Sequence, residues 1–461
     1  MVFTFQRCRG ARPVARYWRR KTIFLRLLAP GFWLLAPFLI PLTFSQSKWE
    51  YGGFLQKSGQ IYFQKPNPSD AYAEGGSRLQ LWGRAPVSRS LSLRGMFDVR
   101  MDTHRNVDRG RWLDIDQRGR RQPAGAISEL YLDAKLGCVD VRLGKQRIRW
   151  GRADGFNPTD NVIPYDYLET FNDERLAIFA LKADAYFTRT NLEFVWLPFH
   201  TPTRLPLLGQ RWFPHLPSSA QVVLFPGTEP VIADIAYRDT SGPLAARTIR
   251  NGQWGARLNQ VLSKGEFSFS YFDGLDDLPY FRSETKSFLH PASEQPTVLV
   301  SLNREYHRVH VAGFDFASEI GPVGIRGEAA YFDQTDPLNL DHLLFVVGAD
   351  KHWGDWFAIV QYAGQKVRGG STQQVIFPDL GLRSTLIYRV ERTFGPSRSV
   401  EIKGALRLLD GDFFLQPVYS IALSNNWSVK LGATVFAGAQ SSYLGQFRDS
   451  SHLNLHLIYR W

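Results

Sequence analysis

Between positions 91 and 102, Leu91, Leu93, Phe97, Val99 and Met101 alternate with Ser92, Arg94, Asp98, Arg100 and Asp102. This period of two belongs to a strand with one apolar and one polar face. Residues 128–136 repeat it, with Leu130, Leu132, Ala134 and Leu136 opposite Glu129, Tyr131, Asp133 and Lys135. Residues 139–143 continue it, with Val139, Val141 and Leu143 opposite Asp140 and Arg142, so a tight hairpin is predicted around Gly137-Cys138. The pattern returns at Phe267, Phe269 and Tyr271 against Glu266, Ser268 and Ser270, and at Val323, Ile325, Ala329 and Tyr331 against Arg326 and Glu328. It appears again at Trp427, Val429, Leu431, Ala433 and Val435 against Lys430 and Thr434. Strands are therefore expected along the whole chain after position 48, and no Ser/Pro/Gly linker divides it into domains. After position 45 no apolar run reaches the ~18 residues of a membrane-crossing helix, which excludes a helical membrane bundle.

A soluble sandwich also alternates. Three features favour a wall around a wet lumen instead. The polar faces carry Arg, Asp, Glu and Lys at mid-strand, short turns such as Ser263-Lys264-Gly265 alternate with long polar connections, and the strands run to about ten residues. The last segment, His452-Leu-Asn-Leu-His-Leu-Ile-Tyr-Arg-Trp461, places Leu453, Leu455, Leu457, Tyr459 and Trp461 at every second position. It resembles the C-terminal signal of bacterial outer-membrane β-barrels, with Trp461 where Phe is usual. The resemblance implies that Leu457, Tyr459 and Trp461 form an assembly signal read by the barrel-assembly machinery. The expected fold class is all-β, a transmembrane antiparallel barrel closed by the C-terminal strand. At roughly 24 residues for each strand and its share of connections, it would have about 16 to 18 strands. Such a cylinder is too wide for side chains to fill.

The first 26 residues hold Arg7, Arg9, Arg12, Arg16, Arg19, Arg20, Lys21 and Arg26 and no acid, and run into the apolar stretch 27–44. This reads as a signal peptide over 1–45, cleaved after Ser45 or Ser47, with the barrel over 46–461. Its removal leaves 47 basic against 43 acidic residues, so the formal charge falls from +12 to +4. The high basicity is thus largely a targeting effect, and no nucleic-acid-binding signature appears. Cys8 leaves with the leader, and Cys138 alone cannot form an intramolecular disulfide.

Residues 143–175 begin Leu-Gly-Lys-Gln-Arg-Ile-Arg-Trp-Gly and continue through an Asp/Asn/Pro-rich stretch with turn formers at Asp154-Gly155 and Asn157-Pro158. Together with Gly255-Ala-Arg-Leu258, Tyr271-Phe-Asp-Gly274, Gly327-Glu-Ala-Ala-Tyr331 and Gly445-Gln-Phe-Arg-Asp449, this segment resembles porin-like bacterial outer-membrane β-barrel families of largely unassigned function, and more loosely the alginate-export type of barrel. The resemblance implies a channel fold and leaves the solute open.

Long loops are expected near 151–175 and 198–230, the latter Pro-rich with Trp212 and Phe213. The first either folds inward as a constriction carrying Asp154, Asp160, Asp166, Glu169, Asp173 and Glu174, or stays outside. Arg94, Arg100, Arg142, Arg147 and Arg149 are candidate pore-lining residues on strand-like segments. They either form a cationic ladder that attracts anions or are neutralised by acids on neighbouring strands. Trp49, Tyr51, Trp353, Trp356, Tyr459 and Trp461 fit interfacial girdles. No His-Glu-x-x-His, Gly-x-Ser-x-Gly or Walker-type loop appears, and His307 and His310 lack a third ligand at metal spacing. No enzyme activity, metal or other cofactor is expected. The expected function is a passive outer-membrane porin for small hydrophilic solutes, anionic ones included. A dedicated conduit for an anionic polysaccharide, working with partner proteins, is the alternative, followed by a barrel-rim enzyme. Expected partners are outer-membrane lipid, the assembly machinery and a small solute, with no nucleic acid; a homotrimer or a periplasmic partner stays open.

Overall fold

Apolar side chains on one face of each strand and polar ones on the other let a long antiparallel sheet curl until its ends meet, and the computed structural model shows this closure. It describes residues 49–67, 70–169, 174–223, 229–240, 244, 246–288, 296–335, 340–368 and 383–461. The expected signal peptide lies outside them. Eighteen antiparallel strands, from Glu50–Tyr62 to His452–Arg460, follow one another round a closed barrel, and the first pairs with both the second, Ala73–Pro86, and the last. Closure leaves no sheet edge with unpaired N–H and C=O groups.

The distribution of side chains is inverted relative to a soluble domain. Leu132, Phe269, Phe314, Leu431 and Leu455 are exposed on the outer face, whereas Asp98, Ser268, Asp315, Glu328 and Gln361 are buried on the inner one. This is the arrangement a hydrocarbon surround requires. Turns as short as Gly137-Cys138 and Gly354-Asp355 gather at one end, and the long connections gather at the other. Trp353 and Trp356 stack at 6.3 Å beside one short turn, and Trp427, Tyr459 and Trp461 form a second aromatic group at the same end. At the seam, Trp461 N–H donates to the Gly53 carbonyl at 3.2 Å. A Cβ on Gly53 would sit 2.6 Å from the Trp461 ring, so the glycine makes room for the terminal indole.

Two irregularities were not foreseen. The strand Gln122–Leu136 is longer than the alternation over 128–136, because its register against Leu91–Asp102 shifts by one residue near Ser128. This bulge turns both Ser128 and Glu129 inward. A nineteenth strand in the sheet, Val107–Asp114, runs parallel to the start of Gln122–Leu136. It extends the wall where the strand Val139–Gln146 stops, and Lys145, an otherwise outward cation, is covered there and donates to the Ile115 carbonyl at 2.6 Å. Arg147 and Arg149 were expected on that strand. They lie beyond its end, in a segment that leaves the wall. Above the barrel, Ser219–Val222, Val231–Asp239, Tyr280–Phe288 and Thr297–Glu305 form a separate four-stranded sheet.

Candidate functional site

The chain leaves the wall at Gln146 for local reasons. Gly144 has φ +130°, where a Cβ would strike the Leu130 carbonyl, and the Gln146 side chain donates to the Ala180 carbonyl at 2.9 Å, replacing the next rung of the ladder. The residues that follow carry apolar side chains inward. Ile148, Trp150, Val162 and Ile163 pack with Ile178, Val195, Phe272, Val309 and Val311 in a cluster inside the barrel. Trp150 is 1% exposed, and its indole N–H donates to Glu193 at 2.8 Å while its backbone N–H donates to Asp160 at 3.0 Å. Gly255 provides the space, since a Cβ there would lie 2.7 Å from the Trp150 ring.

Beyond Trp150 the segment crosses the lumen. Gly151 turns it with φ +86°, directly against the Glu328 carboxylate. That carboxylate accepts from the N–H groups of Arg152, Ala153 and Thr159 and from the Thr159 hydroxyl at 2.8 Å. The Arg152 guanidinium runs along the wall to Glu266 at 2.9 Å, Ser268 at 2.7 Å, Asn259 and Asp315. Arg326 donates to the Arg152 carbonyl at 3.2 Å, and the Gln361 amide faces the backbone of Asp154. At the tip, Gly155 lies against Ile387. Val139–Gln146 is the fifth barrel strand in chain order and Thr385–Phe394 the fourteenth, so the segment reaches the diametrically opposite wall.

The return path is bound by charge. Asp160 pairs with Arg175 at 2.9 Å, and Arg175 stacks over the Tyr165 ring at 3.2 Å. Burial pushes the Asp160 carboxyl up to about 6 despite that partner. Asp166 pairs with Arg204 and accepts from Gln122 at 2.8 Å. Glu169 and His104 are 3.6 Å apart, with Glu74 and Asp102 also beside that imidazole. Burial alone would raise the Glu174 carboxyl, but the guanidinium groups of Arg100, at 2.9 Å, and Arg78, at 3.1 Å, hold it well below its ordinary range. Asp173 lies outside the described residues. Asp154, at the tip, is half-exposed and stands 3.5 Å from Arg326.

A second inward segment, the first part of the Pro-rich connection, lies across the mouth. Thr203 donates to Asp277 from its hydroxyl at 2.6 Å and from its N–H to the Asp277 carbonyl at 2.9 Å. Arg211 donates to the carbonyls of Gln64 and Ala71, and Trp212 packs with Phe436, Phe447 and His452. Burial, then the neighbouring Asp276, pushes the Asp277 carboxyl up to about 7.

The five candidate arginines do not share one environment. Arg94 and Arg147 converge on Glu129 at 3.3 and 2.9 Å, Arg100 binds Glu174, and Arg142 lies 3.9 Å from Asp133 and over the Tyr131 ring. Arg149 is exposed and has no ion pair among the described residues. Below the crossing segment, Asp133, Lys135, Asp140, Arg142, Lys182 and Asp184 line a recess of about 260 Å³. Sequence reading missed Glu328, Glu193 and Arg152 as anchors. Gly151 and Trp150 were marked by their motif, but the carboxylates that receive them sit on ordinary alternating faces.

Fold and site define a transmembrane barrel whose lumen is crossed by its own chain. The chain belongs to the family described as Protein of unknown function (DUF1302), whose model matches residues 94–376, more than half of its length. No curated protein matches it. Among solved structures it is similar to OccAB4 of Acinetobacter baumannii, with a TM-score of 0.50 and 8% identity over 90% of this chain and 98% of that one. It also aligns with OccK3 (OpdO) of Pseudomonas aeruginosa, with a TM-score of 0.48 and 10% identity over 89% and 95%, and with OpdK of the same organism, solved with vanillate, at 0.47 and 9% over 90% and 98%. At such identities the likeness is one of fold.

Proposed function

We propose that this protein is an outer-membrane channel for passive passage of small hydrophilic solutes, with its aperture set by the crossing segment. The observation that carries this reading is the asymmetry of the inner wall. Where the segment packs, inward side chains are sealed, as at Ser268, Asp315, Glu328 and Val346. On the wall made by Arg398–Arg407, Phe413–Ala422, Trp427–Ala437, His452–Arg460 and Glu50–Tyr62, the second inward segment seals Tyr62, Thr434, Phe436, His452 and Asn454 near the mouth. Below them the inward Gln56, Ser58, Lys403, Gln416 and His456 are half-exposed and Lys430 is exposed. A barrel of eighteen strands with one side lined and the other open to water is a narrowed pore. Ordinary barrel orientation places the short turns in the periplasm and the long connections outside. Outer-membrane lipid and the barrel-assembly machinery are its partners on this reading, which assigns it no catalytic step and no cofactor.

Deletion of residues 155–170 tests the reading. Larger single-channel conductance steps than those of the intact protein in a planar bilayer are expected. Steps of unchanged size would mean that the segment does not limit flow.

A further inference from the structure

The inner wall divides electrostatically as well as sterically. On the arginine-bearing side, carboxylates accompany the cations closely. Asp98 and Glu174 hold Arg78 and Arg100, Glu129 holds Arg94 and Arg147, and Lys182 lies 3.2 and 3.1 Å from Asp184 and Glu193. Such neutralised groups contribute little net field to water in the lumen. On the open wall, Arg407 is likewise held by Asp410 and Asp412, and Glu401 is engaged by Arg389. Lys403 and Lys430 are different. Each is on the inward face by its register, Lys403 opposite Gln416 and Lys430 opposite Ser420 and His456. Among the described residues, neither has an ion-pair partner within 4.0 Å. On its other side Lys403 faces Arg389, whose guanidinium is shared by Glu391 and Glu401. The remaining neighbours along this wall are the neutral polar groups Gln56, Ser58, Gln416 and Asn454, which solvate an ion without cancelling its charge.

We propose that Lys403 and Lys430 form an anion-contacting track on the open wall, and that these lysines, rather than the paired arginines across the lumen, set the charge selectivity of the pore for small anions. This deepens the channel reading and rests on it. Two uncompensated ammonium groups in a narrowed passage raise the local anion concentration and exclude cations.

The experiment is the reversal potential of the full-length protein in a planar bilayer under a potassium chloride gradient. Wild-type channels are expected to favour chloride. Lys403→Gln together with Lys430→Gln should reduce the chloride-to-potassium permeability ratio severalfold, the corresponding pair of glutamates should invert it, and the pair of arginines should preserve it. Arg94→Ala with Arg142→Ala should leave it nearly unmoved. Step sizes near wild type show in each case that the barrel has assembled. Open wild-type channels whose reversal potential is the same in the glutamine and glutamate variants would overturn the lysine track alone. Selectivity lost in the arginine-to-alanine pair and kept in the lysine-to-glutamine pair would also overturn it. A wild-type bilayer that stays silent would overturn the channel reading beneath it.

Discussion

Gly151 carries more of the lumen's geometry than any of the charged residues around it. Its φ of +86° is one that a residue with a Cβ rarely adopts, and a methyl group there would lie 2.6 Å from the Glu328 carboxylate. Gly151→Ala is expected to cost about 1–3 kcal/mol locally, seen as faster proteolysis within 151–175 while the barrel stays folded. Proteolysis at the wild-type rate would show that the turn is unstrained. The neighbouring Trp150 and Gly151 were legible as a motif. Glu328 was not, because a glutamate on the polar face of a strand looks the same whether it meets water or three backbone N–H groups from a segment 170 or so positions away in sequence. At the mouth, Asp277 gives a pH dependence. Its carboxyl titrates at about 7 in the docked state, against an ordinary value of about 3.9. The docked state therefore holds the extra proton, so docking of the mouth segment over this buried carboxyl is most favourable at low pH and weakens as pH climbs through about 7, although the Thr203 hydroxyl that donates to it favours the charged form. Cleavage within residues 198–217 should be faster at pH 8 than at pH 6, and Asp277→Asn should flatten that difference. An equal rate at both values in the wild type would contradict it.

Strands were the easiest elements to read, since alternation fixes which residues face lipid and which face the lumen. Leu91–Asp102 has the expected bounds and Gly137-Cys138 the expected turn. Elements that do not alternate escaped. The stub Val107–Asp114 owes its place to the gap left when the chain turns inward, and the four-stranded sheet above the barrel is made of pieces from two separate connections. The arginines at 147 and 149 were placed on a strand because their spacing continues the alternation, but the ladder ends at Gln146. The last strand makes its own demand. Trp461 bonds through its backbone to Gly53 and stacks on Tyr459, so Trp461→Ala removes ring packing at the closing seam while leaving the backbone pairing available. Slower assembly is expected, measured as a smaller fraction of heat-modifiable, fast-migrating barrel on gels of unheated membranes. An unchanged fraction would dissociate the terminal aromatic from assembly.

At the scale of the whole molecule, the closed sheet, the inverted distribution of side chains and the segment spanning the lumen have one common consequence. On the channel reading, water occupies the part of the interior that the chain itself does not fill. The fold follows from the chain's period of two and from its length, which requires a wide barrel. The passage does not follow from either, because its position depends on which wall the crossing segment covers, a matter of contacts between residues far apart in sequence. The most direct test is swelling of liposomes that contain the purified protein, diluted into isotonic solutions of uncharged sugars of increasing size. Rapid swelling with the smallest sugars, slowing steeply as the solute grows, is the expected result. Swelling no faster than that of protein-free liposomes with any of the sugars would contradict the account.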